Sequence, residues 1–211
     1  VVSYAPSLTA LDFSLARAAE LPTHPQSILA VAVEQFGDSV PPLPHASDEA
    51  ELAARFFHKS ELLCNSSATP EIVIAKLSGG YDALHFATHS IFDAQFGRLS
   101  RLLLHGGDLQ ADEIEQLSLS ARLATLTACH TAAGQTHAGE EVTGLTQAFL
   151  AAGAASAVSS MWFVDDEKSP QIVNDFYGHL TTKKLSPAFA LAETQRKWTA
   201  EGNPPLDWAT F

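Results

Sequence analysis

The chain has 211 residues, of which 46% are hydrophobic and 17% charged, so its composition excludes a disordered protein. The formal net charge of −12 disfavours contact with nucleic acid or with an anionic membrane surface. No apolar run approaches the ~20 residues that cross a bilayer, and no signal peptide is recognisable. These properties predict a single soluble domain over residues 1–211, with no nucleic-acid contact and no membrane contact.

The cysteines and the chain ends suggest a cellular context. Cys64 and Cys129 fall in different predicted strands and form no disulfide framework, which indicates a reducing compartment, and we expect the cytoplasm. The first residue is Val1, and both ends interrupt apolar patterns. We therefore expect this domain to be excised from a longer protein.

Helical and extended patterns alternate from the first residue to the last. After an extended start at 1–4, helical spacing covers 8–20, and an apolar run at 27–36 predicts a strand. A helix capped by Ser47 or Asp48, with Glu51 in a capping-box position, is followed by a short strand at 61–64. Thr69-Pro70 begins a helix that Gly79-Gly80 ends.

The second half continues the alternation. A strand ends on His89, a strand is predicted at 101–105, and a helix at 108–117 precedes the strand that ends on Cys129. A helix at 140–152, a strand at 155–162 and helices at 169–180 and about 187–200 complete the pattern. Such alternation predicts an α/β fold with a mainly parallel central sheet of about six strands and helices on both faces.

Two strand ends carry the candidate chemistry. The segments YDALHFATHS and LATLTACHTA each run from apolar residues into a reactive side chain, His89 in one and Cys129 in the other. Because the carboxyl ends of parallel strands meet at one edge of a sheet, we expect the two residues to lie close together. A cysteine with a pKa near 8.5 has only ~3% thiolate at neutral pH, so a nucleophilic cysteine needs such a neighbour.

Structural explanations compete with this chemistry. Most free cysteines are small buried hydrophobes, and residue type alone favours that interpretation for Cys129. Among the nine histidines, His85 lies inside the apolar strand, so we expect a helix to cover it and a backbone or hydroxyl group to bond it. His130 is adjacent to Cys129 and points to the other side, and His137 lies in a polar loop. No histidine or cysteine spacing suits a structural zinc site, so we expect neither a metal nor a cofactor.

The ordered motifs HFATHS, TACHTAAG, GEEVTGLTQAFLAAGAASAVSSMWFVDDE and DWATF resemble the CHAT domain, a branch of the caspase-like cysteine peptidases related to caspases, metacaspases and separase. The resemblance extends over nearly the whole chain. It implies a caspase-like fold and a metal-free Cys-His dyad, with Cys129 as nucleophile and His89 as general base and acid. Backbone N–H groups of Ser90 and Cys129 would hold the oxyanion.

The resemblance also implies a substrate region and a partner. Trp162, Asp165 and Asp166 correspond to the segment beside the dyad, where carboxylates could pair with a basic residue of a protein or peptide substrate. Alternatively, Asp165, Asp166 and Glu167 cap the following helix. Glu140 and Glu141 either cap the next helix or belong to a loop that orders on activation. Family members often carry repeats upstream, so we expect a regulatory repeat segment in the same longer protein.

One departure from the family pattern leaves the activity open. Ser90 stands where the family usually has Gly, and a positive φ there would strain the site. The sequence therefore predicts a cysteine endopeptidase, with a catalytically weak or inactive scaffold domain as the alternative. A nucleotide-binding domain is disfavoured because both GxGxxG and GxxxxGK[ST] are absent.

Overall fold

The computed structural model describes residues 3–37, 40–93, 95–127, 129–130, 143–162 and 165–211, with only the backbone of Cys129, His130 and Thr143. Its helices are α1 (Leu8–Glu20), α2 (Ala46–Ala54), α3 (Pro70–Leu77), α4 (Ala111–Glu115), α5 (Thr143–Ala151), α6 (Ser169–Tyr177), α7 (Pro187–Ala200) and α8 (Pro205–Trp208). Its strands are β1 (Ser27–Ala32), β2 (Lys59–Cys64), β3 (Ala83–Ala87), β4 (His89–Ile91), β5 (Arg101–Leu104), β6 (Gly107–Gln110), β7 (Leu123–Leu126), β8 (Cys129–His130) and β9 (Ala157–Ser159).

The main sheet contains five strands in the order β2-β1-β3-β7-β9, and all four pairings are parallel. Its central strands are buried along their whole length, which explains their unbroken apolar sequences. The predicted α/β fold with a mainly parallel sheet is confirmed. The sheet has five strands where about six are predicted, and four further short strands form a second sheet.

Alternating side chains of the central strands form separate cores on the two faces of the main sheet. On one face, strand residues such as Leu29, Leu84 and Phe86 pack with α3, α4 and α5. On the other face, residues such as Ile28 and Ala83 pack with α2, α6 and α7. Helices therefore cover both faces, as the sequence predicts.

The second sheet begins where the chain leaves the main sheet beside the candidate site. It has the order β6-β5-β4-β8, with β4 antiparallel to β5 and parallel to β8. Thr88 separates β3 from β4, is fully buried, and donates its hydroxyl hydrogen to the carbonyl of Leu103. The predicted single strand ending on His89 is therefore two strands, and His89 begins the second of them.

Several boundaries differ from the sequence prediction, and the predicted strand at 27–36 ends at Ala32. Ser3 and Tyr4 lie outside any strand. The predicted helix at 108–117 begins as β6, which forms a hairpin with β5, and becomes helical only from Ala111 to Glu115. Helix α2 begins at Ala46 with His45 as its N-cap, two or three residues before the predicted cap. The predicted strand at 155–162 is shorter and spans Ala157–Ser159.

Helix α1 contacts the rest of the molecule mainly through polar groups. It has no buried residue, and Arg17 donates from Nη2 to the Leu119 carbonyl at 2.8 Å. Arg122 in turn donates to the Ala18 carbonyl at 2.9 Å. Across the described part of the chain, no helix combines the length and apolar character needed to span a membrane.

Candidate functional site

His89 and Cys129 occupy paired positions on neighbouring strands. In the parallel pairing of β4 with β8, His89 is the register partner of Cys129, and Ser90 is the register partner of His130. Neighbouring strands lie about 4.8 Å apart, so this register brings the two backbones into direct proximity. The predicted convergence of these two residues at one sheet edge holds for the backbone, although the edge belongs to the second, smaller sheet.

The imidazole of His89 is enclosed by the loop that follows β1. The residue is 1% exposed, its Nε2 lies 2.9 Å from the Pro41 carbonyl oxygen, and its ring centroid lies 4.7 Å from that of Phe36. A carbonyl oxygen only accepts hydrogen bonds, so the contact assigns a hydrogen to Nε2. The neutral ring in this tautomer has its basic lone pair on Nδ1.

The side chain of Cys129 lies outside the described structure, as does that of His130. Residues 131–142 also lie outside it, and with them the predicted loop residues His137, Glu140 and Glu141. The role of Cys129 as nucleophile, that of its backbone N–H at the oxyanion, and those of the loop residues therefore stay predictions.

Ser90 adopts ordinary extended backbone in β4. Among the described residues other than glycine, positive φ angles occur only at Asn65 and Lys184. The replacement of the family's glycine by Ser90 therefore imposes no left-handed backbone strain. This removes the backbone argument for an inactive site.

His85 belongs to a buried polar network behind the strand ends. Its Nδ1 lies 3.2 Å from the hydroxyl of Tyr177 on α6, so the hydroxyl partner that the sequence predicts is present. Its Nε2 lies 3.0 Å from Glu49 Oε1, at ion-pair distance but without the alignment of a hydrogen bond. The Tyr177 hydroxyl also lies 3.0 Å from Thr125 Oγ1. His85 therefore has a structural environment distinct from that of His89.

The two carboxylates predicted to bind substrate bond within the chain. Asp165 accepts the N–H of Glu167 on Oδ1, and its carbonyl accepts the N–H groups of Lys168 and Ser169 in the turn before α6. Asp166 Oδ2 accepts the N–H of His45 at 2.9 Å. Burial raises the pKa of Asp166, the His45 contacts oppose that rise, and the nearby Glu49 adds to it. Helix α6 has Lys168 as its N-cap and no side-chain cap bond, so neither carboxylate caps the helix with its side chain.

The segment after β9 is held by the C-terminal residues. Trp162 is partly exposed, its carbonyl accepts the hydroxyl of Thr210 at 3.0 Å, and Met161 donates its N–H to the Thr210 carbonyl at 2.6 Å. Thr210 itself is fully buried. This clamp fixes the backbone of the segment and leaves the indole of Trp162 accessible to a ligand.

A small cavity lies between α2, α6 and the ends of β3 and β7. Thr88 and Thr127, which precede His89 and Cys129 by one and two residues, both border it. The complete lining is Leu43, Ala46, Glu49, Ala87, Thr88, Thr127, Asp166 and Ser169. The cavity thus connects the buried Glu49 with Asp166.

Several residues around the site escape prediction from the sequence. Pro41 and Phe36 lie in a loop, where contacts depend on the path of the chain. Glu49 has a readable signal, because it shares the helical spacing of the buried residues Ala46, Ala50 and Ala53. A carboxylate on an otherwise apolar helix face is rarely buried without a partner, and this pattern points to the network.

The remaining described residues show no competing metal or thiol chemistry. No group of three or more His, Cys, Asp or Glu side chains that could hold a metal ion occurs among the residues that the structure describes. Cys64 is free and half-buried, and burial raises the pKa of its thiol. Its thiolate fraction is therefore lower than that of an ordinary cysteine, which disfavours Cys64 as a nucleophile.

Similarity to solved structures agrees with this architecture. The chain matches the Arg-specific cysteine proteinase gingipain R with a TM-score of 0.56, at 14% sequence identity, over 94% of this chain and 50% of that chain. It matches the complex of the Porphyromonas gingivalis RgpB pro- and mature domains with a TM-score of 0.58, at 14% identity, over 95% of this chain and 51% of that chain. The chain thus spans about half the length of these structures and shares the fold of caspase-like cysteine proteinases.

The sequence comparison gives the family. The CHAT domain matches over residues 1–211, and the chain belongs to the CHAT domain family. A search of curated proteins gives no match. The family resemblance drawn from the sequence motifs is therefore confirmed.

Proposed function

We propose that this domain is a cysteine endopeptidase in which Cys129 is the nucleophile and His89 the general base and acid. The observation that carries the proposal is the register that pairs His89 with Cys129 in adjacent parallel strands. Register partners in a sheet share a face, which is the arrangement a proton transfer between two side chains requires. The family and the caspase-like fold support the same chemistry.

The surroundings of His89 support a defined role for each ring nitrogen. The Pro41 carbonyl holds the Nε2 hydrogen, and the Phe36 ring restricts rotation of the imidazole. In our proposal, Nδ1 therefore accepts the proton of the Cys129 thiol. In the imidazolium that results, the Nε2 hydrogen bonds the Pro41 carbonyl and the Nδ1 hydrogen points to the reacting groups.

The proposed reaction then follows acyl transfer. The Cys129 thiolate attacks the peptide carbonyl, and the tetrahedral oxyanion accepts hydrogen bonds from the backbone N–H groups of Ser90 and Cys129, each worth roughly 3 kcal/mol. His89 Nδ1 donates its proton to the departing amine, which leaves a thioester on Cys129. Water, deprotonated by the same nitrogen, releases the acyl group and restores the thiol.

A labelling experiment tests the dyad. A fluorescent peptidyl acyloxymethyl ketone with an arginine beside the warhead should label Cys129, identified by peptide mass mapping. His89→Ala should slow labelling about 100-fold, because base catalysis contributes at least that factor. Cys64→Ser and His58→Ala are matched controls, since Cys64 has a raised thiol pKa and His58 is exposed. A labelling rate in His89→Ala equal to that of the wild type would contradict the proposal and favour the scaffold alternative.

We further propose that the substrate has a basic residue before the cleaved bond. Asp166 supplies a half-buried carboxylate within electrostatic range of His89, Trp162 supplies an accessible aromatic surface, and the chain has a net charge of −12. The structural relative gingipain R is described as Arg-specific. Paired carboxylates and aromatic faces both suit a guanidinium group.

Matched probes with arginine, lysine or leucine beside the warhead test this preference. Asp166→Asn should lower the ratio of arginine to leucine labelling about 10-fold, since one charge-assisted contact is worth 1.5–3 kcal/mol. Asp165→Asn is the control, because its carboxylate bonds the neighbouring Glu167 N–H. Equal ratios in the wild type would show that no basic preference exists, while leaving the dyad intact.

A further inference from the structure

Helix α2 carries a buried carboxylate that the proposed chemistry does not use. Glu49 is 3% exposed and lies on the helix face formed by Ala46, Ala50 and Ala53. Removing an ionised carboxylate from water is costly unless polar partners compensate, so its burial calls for a role.

A single oxygen of Glu49 contacts two strands of the main sheet. Oε1 lies 3.0 Å from Nε2 of His85 in β3, and it accepts the hydroxyl hydrogen of Thr127, which follows the end of β7. Thr127 Oγ1 is also 3.1 Å from the Phe86 carbonyl of β3. Because charged groups form the stronger hydrogen bonds, the carboxylate ties the end of β3 to the end of β7.

The contacts of Glu49 with His85 and Thr127 lie where β3 and β7 end and the chain passes from the main sheet to the second sheet. The β3–β7 register ends at Phe86 and Leu126, and one more main-chain bond follows, from Thr127 N to the Phe86 carbonyl at 3.1 Å. Both segments then leave the main sheet and pair again as β4 and β8, with His89 opposite Cys129. The spacing of the two residues therefore depends on how the strands are held at the point of departure.

We propose that Glu49 is a positioning residue for the His89–Cys129 dyad, acting through the ends of β3 and β7. This role rests on the proposed function. His85 and Tyr177 complete the support, because His85 joins the carboxylate to the hydroxyl of Tyr177 on α6. The network holds α2, α6 and both strands against one another.

Three variants separate positioning from general stability. Glu49→Leu puts an apolar side chain of similar size in place of the carboxylate and removes the acceptor for His85 and Thr127. Glu49→Gln keeps an oxygen at that place and should restore part of the function. Glu51→Leu on the same helix is the matched control, since Glu51 is exposed and its contact with Arg55 is a surface ion pair at 3.7 Å.

Amide hydrogen exchange tests whether Glu49 holds the ends of β3 and β7 together, and it does not require an active enzyme. In Glu49→Leu the Thr127 amide should exchange about 10-fold faster, which corresponds to 1.4 kcal/mol and lies within the cost of a lost buried polar contact. The Lys59 amide, which bonds the Gln26 carbonyl at the far end of the sheet, should not change. Equal acceleration of both amides, or of neither, would overturn the proposal.

A double-mutant cycle tests the effect on the dyad. In a Cys64→Ser background, Glu49→Leu should slow alkylation of Cys129 by iodoacetamide at pH 7 about 10-fold, and Glu49→Gln should recover part of that rate. In a His89→Ala background, Glu49→Leu should have no further effect, because the geometry it sets no longer matters. The same slowing in both backgrounds would reduce Glu49 to a stability role and overturn the proposal.

The two proposals fail in different ways. If His89→Ala alone leaves the alkylation rate of Cys129 unchanged, the proposed dyad is wrong. The positioning role of Glu49 is then overturned as well, even if Glu49→Leu accelerates exchange of the Thr127 amide. If His89→Ala slows alkylation but Glu49→Leu does not, the dyad stands and the role of Glu49 is overturned.

Discussion

His85 and His89 lie four residues apart, and both are buried, yet the structure gives them opposite surroundings. His85 sits inside the main sheet, where both ring nitrogens face side chains, Glu49 at 3.0 Å and Tyr177 at 3.2 Å. His89 begins the second sheet, where the Pro41 carbonyl and the Phe36 ring hold it. The sheet change at Thr88 separates the two environments.

The difference shows that burial alone does not identify a catalytic histidine. A histidine packed between a carboxylate and a hydroxyl contributes to the stability of the core, because removing it leaves the buried Glu49 with the Thr127 hydroxyl as its remaining partner in the network. A histidine whose Nε2 hydrogen bonds a backbone carbonyl has a fixed tautomer, and we propose that Nδ1 of His89 takes part in the chemistry. The predictions below test this separation, starting from the largest expected loss of stability.

His85→Leu should lower the free energy of unfolding by about 3 kcal/mol, because it leaves the buried Glu49 carboxylate without its ring partner. His89→Leu should cost about 1 kcal/mol, since it removes one hydrogen bond to a carbonyl of the exposed Pro41. Urea unfolding followed by circular dichroism measures both. Equal losses would contradict the division between a structural and a chemical histidine.

Tyr177→Phe should lower the free energy of unfolding by about 1–2 kcal/mol, because the lost hydroxyl leaves His85 Nδ1 and Thr125 Oγ1 with one partner fewer in the core. Thermal unfolding and urea unfolding should agree on the size of the loss. Tyr4→Phe is the control, since Tyr4 is 92% exposed. A Tyr177→Phe protein as stable as the wild type would show that the network contributes little.

His179 offers a third buried histidine, bonded to a neutral group. Its Nδ1 lies 3.1 Å from Thr194 Oγ1, and its pKa is lowered by burial first and then by the charge of Lys183. Because the unfolded chain then binds a proton at higher pH than the folded chain, the unfolding free energy falls as the pH drops from about 7 through 6.5, the ordinary pKa of histidine.

His179→Gln should reduce this acid sensitivity, with a smaller effect than either substitution in the network. Unfolding free energies measured at pH 7.5 and pH 5.5 in the same buffer system give the comparison. An acid-induced loss as large in the variant as in the wild type would assign the pH dependence to other groups.

Local sequence patterns explain much of the fold. The apolar runs predict β1, β3 and β7 because buried parallel strands need no polar face. Proline at the first or second position correctly marks the starts of α3, α6 and α7. The hairpin of β5 and β6 is mispredicted, although its two-residue turn at His105-Gly106, with Gly106 at φ 78°, is a recognisable signal.

The site depends more on tertiary contacts than the fold does. The segment HFATHS is predicted as one strand, because its local pattern does not indicate that Thr88 bonds the Leu103 carbonyl. It also does not indicate that the chain passes to a second sheet at this point. The register of His89 with Cys129 depends on that passage. Glu49 can be suspected from its place on an apolar helix face, but its partners come from β3 and β7, far away in sequence.

The Pro41 carbonyl has a consequence for how this domain tolerates change. A main-chain acceptor is present whatever side chain the residue carries. A scan of side-chain substitutions therefore does not detect its contribution. The loop is anchored by the Leu43 N–H, which donates to the Glu34 carbonyl at 2.9 Å, and its length decides where the acceptor stands. One residue inserted between Phe36 and Pro41 should therefore move the acceptor away from the ring of His89 without replacing any side chain.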